Sequence, residues 1–139
     1  WAVNTLNFLK SQLETENWDH ALYKLLRGYG SNERGSRSMH RTVSRMMLPH
    51  FELLDVADRS SRTSEGERSI TVYTNELISL IDDAVSAINN GPRERAAGRD
   101  APYPSEVIKS LKPRLQDLFA RRETIFPQEI LASAEEDQA

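Results

Sequence analysis

Apolar residues recur along this chain at three- and four-residue intervals, with polar residues filling the positions between. In the first segment Ala2, Leu6, Leu9 and Leu13 form one stripe while Asn7, Lys10, Ser11 and Glu14 take the rest of the turn, which is the signature of an amphipathic helix. A second stripe of Trp18, Leu22, Leu25 and Tyr29, widened by Ala21 and Leu26, follows Asn17 and stops at Gly28 and Gly30. Asparagine is a favoured N-cap and glycine a favoured helix stop, so two helices joined as an antiparallel hairpin are predicted. Residues 30–38 hold only glycine, serine, asparagine and charge and read as a loop.

A third helix is predicted from Ser38, turning Met39, Val43, Met46 and Met47 inward and Arg41 and Arg45 outward. Pro49 should interrupt it, because proline removes an amide donor and clashes with the preceding turn; Phe51, Leu53, Leu54 and Val56 then lie past a kink or on a separate short helix. From Asp55 to Arg68 the chain turns polar, and residues 59–64 read as an exposed loop. Ser69 opens the strongest helical pattern, in which Ile70, Tyr73, Leu77, Ile81, Ala84 and Ile88 keep helical spacing and Ile78, Leu80 and Val85 broaden the apolar face. Asn89, Asn90, Gly91 and Pro92 should end it, and residues 93–103 form a polar connector. Pro104, Ser105 and Glu106 mark the next start, with Ser105 as cap. The stripe of Val107, Ile108, Leu111, Leu115 and Leu118 carries Pro113 within it, so the helix there either kinks or begins afresh. A last short helix runs from Phe126 and Pro127 through Ile130, Leu131 and Ala134 into the acidic tail Glu135, Glu136 and Asp137.

Alternating patterns are not sustained and no long period repeats, so strands and solenoids are not expected. The predicted class is all-α: an irregular bundle of five to six helices around a central helix at about residues 69–90. The 139 residues suit a single helical domain spanning 1–139, and Trp1 in place of a methionine is expected of a fragment or a processed chain.

Composition narrows the function classes. The chain has no cysteine and three histidines, which removes disulfides, thiolate catalysis and cysteine-ligated zinc. His20, His40 and His50 lie in different segments without a metal-binding spacing. Neither a cofactor nor a metal site is expected. The mean hydropathy of −0.60 and the lack of a long apolar run predict a soluble protein of the cytoplasm or nucleus. The glycines at 28, 30 and 35 follow a helix and lack the Gly-Lys-Ser/Thr ending of a phosphate cradle. Asp82 and Asp83 project about 100° apart on a helix, so they cannot act as a pair, and their expected role is solvation. No Gly-x-Ser-x-Gly elbow exposes a nucleophile, and a non-enzymatic chain is predicted. Trp1, Trp18, Tyr23, Phe51 and Tyr73 follow core stripes, so no interleaved basic and aromatic platform for single-stranded nucleic acid is present.

The sharpest remaining feature is basic. Of 18 basic residues 14 are arginine, whose planar fork suits carboxylates, phosphates and interfaces. Arg27, Arg34, Arg37, Arg41 and Arg45 face a single acid, Glu33, within their stretch. Arg37, Arg41 and Arg45 are spaced four residues apart, which places them on one helix ridge. The serines and threonines beside Arg41 and Arg59 also resemble sites of arginine-directed kinases. Met39, Met46 and Met47 either line an adaptable groove or fill the core. The expected function is a protein-interaction module or a structural subunit of a larger assembly, with those five arginines as the partner-binding residues. The alternative is an RNA-binding, nucleocapsid- or coat-like helical protein using the same arginines on phosphates.

Overall fold

A computed structural model describes residues 2–26, 37–60 and 63–132, with side chains from 3 to 25, 41 to 60 and 63 to 132. Among these residues the protein is helical without strands. Six helices follow in order: α1 (Ala2–Glu14), α2 (Trp18–Leu26), α3 (Arg37–Ser60), α4 (Ser64–Ala96), α5 (Pro104–Ala120) and α6 (Arg122–Ile125). A further helical stretch covers 128–132. The all-α class read from the periodicity is the class observed.

The apolar stripes become one core. Leu6, Leu9 and Leu13 of α1, Ala21 and Leu25 of α2, Met47, Phe51 and Leu54 of α3, Tyr73, Leu77 and Ile81 of α4 and Ile108, Leu115 and Leu118 of α5 are all buried in it, as are Phe126, Ile130 and Leu131. α2 lies on α3, and α4 packs between α1 and α5 while also touching α3 and α6. α3 itself meets α1, α2, α4 and α5, so it shares the middle of the bundle with α4. Tyr23 departs from the expected stripe and is 52% exposed. It lies five residues after buried Trp18, about 140° further around the helix.

The helix boundaries differ from those predicted, mostly by extension; the last helix instead begins at 128, with Phe126 and Pro127 outside it and α6 before them. α3 begins at Arg37 and runs through Pro49 without a break, and α5 runs through Pro113. A proline inside a helix costs about 3 kcal/mol. On either side of Pro49 stand fully buried Met47 and Phe51, and around Pro113 stand buried Leu111 and Leu115. Each such side chain contributes about 1.5–3 kcal/mol on burial, so packing outweighs the lost amide. α4 starts five residues before Ser69, where the Thr63 hydroxyl accepts from the Gly66 amide at 3.1 Å. Helical structure thus takes both ends of the stretch predicted as a loop from 59 to 64. α5 takes Tyr103, not Ser105, as its N-cap: Pro104 occupies the first turn and the Tyr103 amide donates to Glu106 Oε1 at 3.1 Å.

α4 also continues through Gly91 and Pro92 to Ala96. Gly91 serves here as space rather than as a stop. A Cβ at this position would sit 2.9 Å from an Arg95 guanidinium nitrogen. Folded back over Gly91, Arg95 donates to the carbonyls of Ala101 and Pro102 at 3.3 and 3.0 Å and covers the Tyr103 ring at 4.2 Å, fixing the path from α4 to α5. The true stop is Gly98, at φ 82°. Its amide donates to the Arg95 carbonyl and the Arg99 amide to the Glu94 carbonyl, both at 3.0 Å, which is the Schellman closure. α1 ends in the same way: Glu16 donates to Leu13 and Asn17 to Gln12 at 3.3 and 3.0 Å. There the left-handed residue is Glu16, at φ 55°.

Candidate functional site

Of the five arginines expected to bind a partner, Arg27 and Arg34 lie outside the described residues. Arg37 opens α3, with its side chain outside them. Arg41 and Arg45 lie one turn apart on α3 and both side chains are exposed. Among the described residues neither enters an ion pair, whereas Arg59 binds Asp55 at 3.1 Å, Arg114 binds Asp83 at 3.1 Å and Arg121 binds Glu76 and Asp117 at 3.4 and 3.3 Å.

Arg45 also forms part of something the one-dimensional pattern did not reveal. Thr42, Arg45, Met46 and Pro49 of α3 face Lys112, Leu115, Gln116 and Phe119 of α5 across a groove of about 510 Å³. Both walls use the same helical spacing of 0, 3, 4 and 7 residues, which lines up one face of a helix. Each wall contributes one cation, Arg45 or Lys112, and no acid lies among the described lining residues. Met46, Pro49 and Phe119 are half-buried and Leu115 is buried. The linear pattern gives Lys112 and Phe119 no distinction as site residues. Their spacing is readable in the sequence, but nothing there states that the face at 112–119 meets the face at 42–49.

His50 lies deeper in the same groove, 2% exposed. Its Nδ1 is 2.7 Å from the Tyr73 hydroxyl, in hydrogen-bond contact, and its ring stands edge-on to Phe119 at 5.8 Å. Burial pushes the imidazole down to about 4. Burial pushes the Tyr73 phenol up, only partly offset by Arg122 and Arg121. Both groups are therefore neutral near pH 7, and the contact joins two neutral partners inside an aromatic cluster that Tyr73 extends to Phe126 at 5.4 Å.

The chain matches no family model, no curated protein and no solved structure.

The remaining candidates separate clearly. His20 is exposed beside Phe8, at 6.1 Å between rings, and the His40 side chain lies outside the described residues. Among the described residues no three potential metal ligands converge. Met47 is fully buried core, Met46 lines the groove and the Met39 side chain lies outside the described residues. Asp82 and Asp83 do more than solvate α4: Asp82 accepts from Lys10 of α1 at 2.8 Å and Asp83 from Arg114 of α5 at 3.1 Å. The angle that keeps them from acting together sends them to different helices. A second groove, of about 810 Å³ between α4 and α5, is lined by Glu76, Asp117, Arg114 and Arg121, and its cations are already engaged by acids of the same chain. No described helix is long and apolar enough to cross a membrane.

Proposed function

We propose that this chain is a non-enzymatic helical interaction module, or a structural subunit of an assembly, that binds a protein partner through the arginine face of α3. The observation that carries the reading is the pair Arg41 and Arg45, exposed one turn apart and without an ion pair among the described residues, with Arg45 on the rim of a groove whose described lining holds no acid. Arginine forms strong charge-assisted hydrogen bonds to carboxylates, and interfaces set a positive patch of one chain against a negative patch of the other. The buried pair His50 and Tyr73 fits the non-enzymatic part of the reading. A general acid or base works best when it titrates near the working pH, and burial moves the titration of both groups away from pH 7.

The test is capture of partners from native extract, split between RNase-treated and untreated samples, by the wild-type chain and by a variant carrying Arg37→Glu, Arg41→Glu and Arg45→Glu. The variant should unfold as cooperatively as the wild type, because two of the three side chains are exposed, and should lose the captured protein. Unchanged capture by the variant refutes the proposal. Capture that disappears with RNase and falls steeply with salt transfers the arginines to phosphates instead.

A further inference from the structure

Resting on that reading of α3, we infer that the groove between α3 and α5 is the docking site for an acidic amphipathic helix of the partner protein. The helix seats an apolar side chain over Met46, Pro49, Leu115 and Phe119 and places carboxylates against Arg45 and Lys112.

Three observations lead to this occupant. The walls are two helices presenting matched faces, residues 42, 45, 46 and 49 opposite 112, 115, 116 and 119; a third helix packs into such a trough at about 8–10 Å between axes. Among the described residues there is no strand, so an extended peptide has no described sheet edge to join, and the helix-in-groove mode fits the walls. The charges select the sign. One cation stands on each wall with no acid among the described lining residues, whereas in the groove between α4 and α5 Arg114 and Arg121 are already held by Asp83, Glu76 and Asp117. A basic helix would meet Arg45 and Lys112 with like charge. Nucleic acid fits less well, because besides buried His50 the described lining residues offer a single aromatic ring, Phe119, whereas successive bases stack on a run of aromatic faces.

The probe is a fluorescein-labelled helix-forming peptide of about six turns, past the length at which isolated helices are marginal, with leucines at spacings of 3 and 4 and glutamates beside them. One twin carries lysine for each glutamate and another alanine for each leucine. Titration into the full chain is followed by anisotropy and by methionine-methyl NMR. The acidic peptide should saturate and shift the methyl of half-buried Met46 while that of fully buried Met47 holds its place; both twins should bind far more weakly. Lys112→Glu should weaken the acidic peptide about five- to tenfold and strengthen the lysine twin. Gln116→Glu is the second variant should Lys112→Glu fail to melt cooperatively. Equal affinity of the acidic peptide for wild type and variant, an unmoved Met46 methyl or the absence of saturation overturns the assignment. Tighter binding of an oligouridylate or a medium-chain carboxylate to the same methyl also overturns it.

The two readings fail separately. Lys112 lines the groove from α5, away from the arginine ridge, while Arg41 is on the ridge and not among the groove-lining residues. A native partner lost by Arg41→Glu but kept by Lys112→Glu leaves the arginine face standing and removes the groove. A partner indifferent to both removes both.

Discussion

Acid should weaken this fold through His50 before it reaches most carboxylates. The imidazole is 2% exposed and its proton affinity is lowered from 6.5 to about 4 by burial. In the unfolded chain the same group titrates at its ordinary value, so between pH 6.5 and 4 the unfolded state binds the proton and the folded state does not. The His50 contribution is complete above pH 6.5, shrinks as pH falls through that window and is gone below 4. A displacement of this size corresponds to about 3 kcal/mol in all, of which about 2 kcal/mol is spent by pH 5. This is a large share of the stability of an ordinary domain, about 5–15 kcal/mol. The assay is urea unfolding of wild type and His50→Gln between pH 7.5 and 4. Glutamine keeps a hydrogen-bonding group near Tyr73 but does not titrate, so the variant starts less stable and its midpoint should fall more slowly with acid. Asp55 works in the opposite sense. Burial and the neighbouring Asp19 carboxyl raise its proton affinity against the pull of Arg59, but it is present in both chains and cancels in the difference. Parallel stability profiles for the two chains over this range would refute the reasoning.

Two further outcomes test the local geometry. Glu16→Gly should raise stability by about 0.5–1 kcal/mol in thermal or urea melts, because glycine adopts the φ of 55° found there without the Cβ penalty; a loss would mean that α1 does not close through a left-handed residue. Gly91→Ala should displace the Arg95 guanidinium, 2.9 Å from the new methyl, so that amide exchange in residues 97–103 speeds up and a Gly91→Ala, Arg95→Ala double variant is no worse than Arg95→Ala alone; additive losses would show that the two residues act separately.

Much of the fold was legible because burial decides it. Leu6, Leu9 and Leu13, or Tyr73, Leu77 and Ile81, could be assigned to a core from spacing alone, and all are buried. The errors cluster at residues whose local preference opposes their surroundings. Pro49 and the pair Gly91 and Pro92 carry stop signals that α3 and α4 run through, whereas at Pro113 the continuing helix is one of the two outcomes the pattern left open. A local signal states a cost, and only the assembled core states what offsets it. The candidate site was half legible. The ridge of Arg41 and Arg45 follows from a four-residue spacing, but its facing wall is some 70 residues later in the chain, and Lys112 has no feature of its own that marks it. Asp82 and Asp83 illustrate the same limit, since their divergence was readable and their targets on α1 and α5 were not.

That divergence makes α4 a compass needle with two bearings. One side chain points to Lys10 and the next to Arg114, so a single step of sequence turns from α1 to α5 around the shared axis. Each contact is half-exposed and weak alone, and both agree with the roll set by the buried face of Tyr73, Leu77 and Ile81. Removing one of the two aspartates from the chain would rotate everything beyond it by about 100° and leave one carboxylate to answer two cations on different sides. Loops absorb a lost residue locally; α4 would carry the error along its remaining length.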